Sequence, residues 1–313
     1  MTSYGGLGCF AERLLMSVFS NVPRAVRYLS LVFMLLFSGN AFSAPKSKLI
    51  EFWNDHEANS RIDVNHDDWQ SILSEYVEDQ HPSGISRFNY EAVTAADALK
   101  LKAYIDYLEL LEPRQLNLAE AQAYWINLYN ALLLDKVVDT YQEGTTRAVN
   151  RLLKGRLRST NWGRNITKVA LQNLSLDDIE HGILRPMWND PRIHFVITSG
   201  ALSGANIIKT AFNGDNNEEL LEQSKLDFFS HQKSAYVDGK RIVLNSMFNW
   251  YRDDFATDKD SLLRYIRTNV SEEVRKSMEG LSRIRYEYVW ALNAPSTEFV
   301  VLSDDEDEED EDE

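Results

Sequence analysis

Cysteine is nearly missing from this chain: among 313 residues there is one, Cys9. A single thiol excludes an intrachain disulfide framework and any site built from several thiolates. Basic residues are also scarce, 33 Lys and Arg against 48 Asp and Glu, for a net charge of −15. A surface of that sign repels phosphate backbones and excludes duplex nucleic acid as a partner. No apolar run reaches the roughly 18–20 residues that a membrane span needs. There is no internal repeat and no Pro/Gly-rich linker. What remains, 44% apolar and 26% charged, is ordinary globular composition.

The two ends differ from the middle. Arg24 and Arg27 precede a short apolar run over residues 28–37, and small residues come next, with Ala41 and Ser43 in an A-x-S pattern. That order predicts a secretory signal peptide over residues 1–43, cut after Ser43, with Met16 as an alternative start. Cutting after Ala44 instead would place Pro45 on the wrong side of the bond. Cys9 lies upstream of the cut, so the mature chain is expected to carry no thiol, no cysteine nucleophile and no lipidated cysteine. An exported protein without disulfides suits a bacterial periplasm or secretion. At the other end residues 304–313 are all acidic, and taking those ten charges from −15 leaves −5. They cannot bury apolar surface, so residues 299–313 are expected to be a disordered tail behind a single domain over residues 44–298.

Within that domain, helical spacing appears at 67–77 and 90–111. Asn117 and Glu120 predict a capped long helix to about Tyr141, and Ser175 with Asp178 caps another to about Leu184. Residues 192–198 read as a buried strand ending in Ser199-Gly200. Residues 235–244 read as a hairpin with an Asp-Gly turn. Helices are expected at 246–255 and 260–269, and an alternating strand at 284–292. The class is α+β, with a helix-rich N-terminal half packed on a small antiparallel sheet.

Five stretches then carry a likeness: W-I-N-L-Y-N-A-L at 125–132, S-L-D-D-I-E-H-G-I-L-R at 175–185, D-P-R-I-H-F at 190–195, W-Y-R-D-D-F at 250–255 and Y-E-Y-V-W-A-L-N at 286–293. In this order the chain resembles the domain of unknown function 547 family, over about Trp69 to Asn293. The resemblance implies exported bacterial proteins and a fold neighbourhood, and no reaction. It also implies a loop of the type Cys-Gly-Ala-x-Ser-Cys-Pro after the His-Phe strand. Here residues 199–205 read S-G-A-L-S-G-A, so Ser199 stands at the first cysteine, and Gly204 and Ala205 at the Cys-Pro pair.

The polar residues in these stretches are the candidates. Asn127 and Asn130 share a helix face and either hold a ligand or tie down a later loop. His181 and Arg185 are four apart on one helix, with Glu180 beside them, and His194 comes after them on the expected strand. A cleft of Asn127, Glu180, His181, Arg185 and His194 offers histidine–carboxylate acid/base chemistry, with Asn127 orienting the histidine or stabilising an oxyanion. The same donors include ligands suited to Zn²⁺, or they form a buried structural network; the sequence names no cofactor. Ser199 is a candidate anion ligand or nucleophile, with Gly200 and Gly204 permitting a tight turn. In the 250–255 stretch, Trp250 and Phe255 are expected to face the core and Arg252 to pair with a carboxylate. Residues 145–175 hold seven basic residues and no acidic one. Arg156 and Arg158 in that run are candidate contacts for an anionic glycan, a lipid headgroup or the acidic tail. The expected function is an exported cell-envelope domain, either a binding or scaffold module or a degenerate enzyme. The alternative is a hydrolase or transferase using His194 or His181.

Overall fold

The computed structural model describes residues 44–143, 149, 153–154 and 162–300, all within the compact unit that begins at Ser43. The expected signal peptide, residues 301–313 of the expected tail, and four of the seven basic residues of the 145–175 run, Arg156 and Arg158 among them, lie outside the described residues, whereas Phe299 and Val300 of that tail are described.

Three helices come first. Helix α1, Asp67–Tyr76, buries Trp69, Ile72, Leu73 and Tyr76, the one-face spacing of an amphipathic helix. Helix α2, Ala95–Leu110, starts at Thr94, whose side chain accepts from the Asp97 N–H, and buries Leu101, Tyr104, Ile105 and Leu108. Helix α3, Leu118–Glu143, is apolar nearly all round and runs through the core, with Tyr124 to Ile126, Leu128 and Tyr129 all buried. Its cap is the expected one: the Asn117 side chain accepts from the N–H groups of Ala119 and Glu120 at 3.1 and 3.0 Å.

Strands are short. β1 (Val77–Glu78) pairs with β2 (Arg87–Phe88), and β3 (Thr167–Val169) with β4 (Gln172–Leu174), both antiparallel. β5 (Ala235–Asp238) and β6 (Arg241–Asn245) form the expected hairpin, with Gly239 at φ 54° in its turn. One pairing differs from expectation. β7 (Arg283–Glu287) runs parallel to β6, with Ile242 opposite Ile284. The chain between them is long enough to carry the crossover a parallel pair requires. It folds as α6 (Met247–Trp250), α7 (Arg252–Phe255), α8 (Lys259–Asn269) and α9 (Glu272–Ser277). β7 stops at Glu287, but the backbone beyond it still bonds the 199–205 loop, Leu202 N–H to Ala291 O at 2.9 Å.

The middle of the chain departs furthest from the sequence reading. Ser175 does cap a helix, its hydroxyl accepting from the Asp178 N–H at 3.1 Å. The segment Asp178–Leu184 then winds as a π-helix before α4, Arg185–Trp188. Such π-turns are uncommon and concentrate at functional sites. The strand expected at 192–198 is instead a 3-10 helix, Pro191–Phe195. Asp190 caps it by accepting from the Arg192 N–H, and Pro191 sits at its first position with φ already set. A short buried apolar run has no periodicity to separate strand from helix. Helix α5, Asn217–Ser230, is not among the expected elements, although it buries Leu221, Ser224 and Phe228 at helical spacing.

Two apolar clusters form the core. The first surrounds α3; the second gathers Phe195, Phe228, Phe229, Phe248, Leu262 and Ile266. Ile193 belongs to the first and Phe195 to the second, so His194 stands on the seam between them.

Candidate functional site

The π-helix brings Glu180, His181 and Arg185 to the seam, and the 3-10 helix brings His194. What joins them is Asp254 from α7. Arg185 grips it bidentately, Nε to Oδ2 at 2.6 Å and Nη2 to Oδ1 at 2.9 Å. His194 Nε2 lies 2.7 Å from the same Oδ2. Arg185 Nη1 also donates to His181 Nδ1 at 2.9 Å and to the Pro45 carbonyl at 2.9 Å. His181 Nε2 lies 3.8 Å from Asp177 Oδ1. Glu180, buried, accepts from the Tyr129 hydroxyl at 3.1 Å. Tyr251 closes the cluster, its ring 4.1 Å from that of His194 and 5.0 Å from the Arg185 guanidinium.

The electrostatics result from burial and pairing. Burial pushes His194 below the ordinary histidine value, and Asp254 only partly opposes it. Burial acts to raise Asp254, but the hydrogen bonds from His194 and Arg185 outweigh it and hold the carboxyl well below the usual carboxylate range. Burial also works against the charge of Arg185, and Asp254 more than restores it. The pair Arg185⁺–Asp254⁻ is therefore permanent at neutral pH. Neutral His194 carries its proton on Nε2 and donates to Asp254. His181, accepting from a guanidinium at Nδ1, has its proton on Nε2.

The N-terminal strap 45–50 covers this cluster. Lys48 N–H bonds His181 O and Ile50 N–H bonds Gly182 O, both at 2.9 Å. A Cβ on Gly182 would lie 2.5 Å from Ile50 Cδ1, so any larger residue there would have to push the Ile50 side chain aside.

Glu180, His181, Arg185 and His194 thus come together as the sequence groups them, and one expected member stands apart. Asn127 does not reach the cluster. Its Oδ1 accepts from Trp69 Nε1 and the Phe212 N–H, and its Nδ2 donates to Phe212 O at 2.8 Å, beside His66. Tyr129, two residues on and so about 200° further round α3, is the side chain that reaches Glu180. Asn130 likewise ties backbone, donating to Val196 O and accepting from the Thr198 N–H, both at 2.9 Å. Both amides serve later loops, the simpler of the two readings.

Ser199 is buried, its hydroxyl 2.7 Å from that of Tyr288. Gly200 takes the expected positive φ, 73°. Gly204 does not, and is needed for space instead: a Cβ there would sit 2.2 Å from Ser199 Oγ. The residue that sequence reasoning misses is Asp254. The pairing expected in its stretch falls on Arg252, which is exposed, while Trp250 and Phe255 are only half-buried against the second core. Two adjacent acids among aromatics, Asp253 and Asp254, are the available signal. No group of three or more His, Cys, Asp or Glu suited to a metal ion occurs among the described residues.

The room beside His194 is small. A cavity of about 20 Å³ opens there, walled by Ile197, Gly204, Ala205, Met247 and Tyr288 among others. That volume holds about one water molecule.

Residues 113–229 match the model of the family described as "Protein of unknown function, DUF547". The resemblance is shown over these residues, which include the stretches at 125–132, 175–185, 190–195 and 199–205; those at 250–255 and 286–293 lie beyond them. No curated protein and no solved structure matches the chain.

Proposed function

We propose that this protein is an exported cell-envelope domain that acts by binding or scaffolding, and that its His194–Asp254 pair is the remnant of a catalytic site. The observation that carries this reading is the wall facing His194. An oriented histidine needs a side chain or a water to deprotonate and, beside it, room for the substrate that is attacked. Among the described residues, those around the cavity include no serine, threonine or cysteine, and glycine and alanine stand where the family resemblance puts Cys-Pro. The space suits a water and no substrate. With four of the five N–H donors of Arg185 placed on Asp254, His181 and Pro45, the cluster is a device for holding four chain segments together.

The test is turnover. The purified protein is expected to leave p-nitrophenyl acetate and a casein substrate unchanged above the buffer rate. Hydrolysis that His194→Asn removes, without a lower melting temperature, would overturn the reading in favour of histidine acid/base catalysis. Export is checked separately by N-terminal sequencing of the cell-envelope fraction, where the expected first residue is Ala44.

A further inference from the structure

A second polar region lies away from His194 and shares no wall with it. A cavity of about 580 Å³ opens between the 81–87 segment, His231 and the chain at 295–299. That is the volume of a small-molecule site. At its wall is Arg87 of β2, with no solvent exposure at all. Its hydrogen-bond partners are all neutral: Nη1 donates to Ile85 O at 2.8 Å, and Nη2 to Ser83 Oγ and Thr297 O at 3.0 and 3.3 Å. Its Nε–H has no partner. Glu78 stands opposite it in the β1–β2 ladder and its charge favours the guanidinium, but among the described residues no carboxylate hydrogen-bonds it, and a guanidinium buried in this way is costly unless something anionic completes it.

A second buried cation stands nearby. Lys233 Nζ is held by two more neutral groups, Gly204 O at 2.7 Å and Asn206 Oδ1 at 2.8 Å. Burial, and then the nearby charge of Arg87, depress it to about 7. A smaller cavity at Lys233 shares Gln232 and Phe299 with the larger one. Two buried cations with neutral partners, in a chain of net charge −15, are out of keeping with the rest of the molecule. The cavity adds apolar surface from Phe299 and Pro295, while one carboxylate, Glu298, sits exposed at its edge.

From this we infer that the Arg87 cavity is a binding site for a small organic anion, a carboxylate or phosphate monoester. Its charged group faces the guanidinium of Arg87 at the cavity wall and its apolar body lies on Phe299 and Pro295. The inference is independent of the reading of His194, because the Arg87 cavity shares no lining residue with the cavity at His194; Gly204 alone borders both regions, through its carbonyl on Lys233. The same anionic chemistry has a second source in the acidic run at 304–313, which begins five residues beyond Phe299.

The experiment is a titration of the full chain with phenyl phosphate at low ionic strength, read by thermal shift and by the histidine ring resonances of His81 and His231. A saturable rise in melting temperature is expected. Arg87→Lys and Ser296→Glu are each expected to weaken it by about tenfold, the second by placing a like charge at the exposed rim. Ser296 is exposed, so it keeps the test open if Arg87→Lys fails to fold. A chain ending at residue 300 separates the sources. Tighter binding there makes the acidic run a competing occupant of the same anion site, and unchanged affinity leaves the free anion alone. Absence of a saturable shift in both chains, or a shift that neither substitution alters, overturns the inference.

Discussion

The two buried polar regions of this molecule treat charge in opposite ways. At the seam, Arg185 and Asp254 are mutually satisfied, His194 and His181 fill the remaining valences, and the space left is that of one water. At β2, Arg87 is as deeply buried but hydrogen-bonded only to neutral acceptors, one N–H unmatched and Glu78 opposite it unbonded, beside a cavity some thirty times larger. The first has the residue types of an active site and the connectivity of a tie. The second has an ordinary sequence and the unfinished connectivity of a receptor. Residue identity alone would rank them the wrong way round; pairing and volume decide.

The comparison can be broken most forcefully at Asp254. Asp254→Ala leaves Arg185 buried without its counter-charge, and a loss of about 3–5 kcal/mol is expected in urea unfolding. A loss under about 1 kcal/mol would mean the seam is not a tie. Acid comes next. His194 and His66 are held neutral in the fold by burial, His66 down to about 4, whereas unfolded histidines protonate below about 6.5. The unfolded chain therefore binds more protons in that window, so stability rises with pH across it and is lost as pH falls from about 6.5 toward 4. For His66 alone the loss amounts to about 3 kcal/mol. The depressed carboxyl of Asp254 extends the loss below the ordinary carboxylate range, since its contribution disappears as pH falls through its folded value. A flat stability curve between pH 4 and 6.5 would contradict neutral buried histidines. The smallest effect sharpens the contrast between two arginines: Arg252→Ala, exposed on α7, should change stability by less than about 0.5 kcal/mol.

Much of the fold is legible where the signal is local. Helices α1 and α3, the Asn117 and Ser175 caps, and the 235–245 hairpin each result from side-chain spacing or turn chemistry within a few residues. The grouping of Glu180, His181, Arg185 and His194 is legible for the same reason, since three of the four share one helical segment. Asn127 falls outside the group because it lies on a different helix, and nothing local tells which distant segment its amide meets. Asp254 is missed because its partners are 60 and 69 residues away. The 3-10 helix at His194 is hidden by a buried run with no period. Lys233 and Arg87 carry no sequence signal, because a lone cation becomes unusual only once its surroundings are known.

The strap over the π-helix sets an order of events. Pro45 and Arg185, joined by one hydrogen bond, are 140 residues apart. At ordinary synthesis rates of about 5–20 residues per second, the strap waits roughly 7 to 28 seconds for its seat to be made. The beginning of this domain is thus a closure laid down late over its own middle. A nascent chain halted before Arg185 has an intact α3 sequence and no seam.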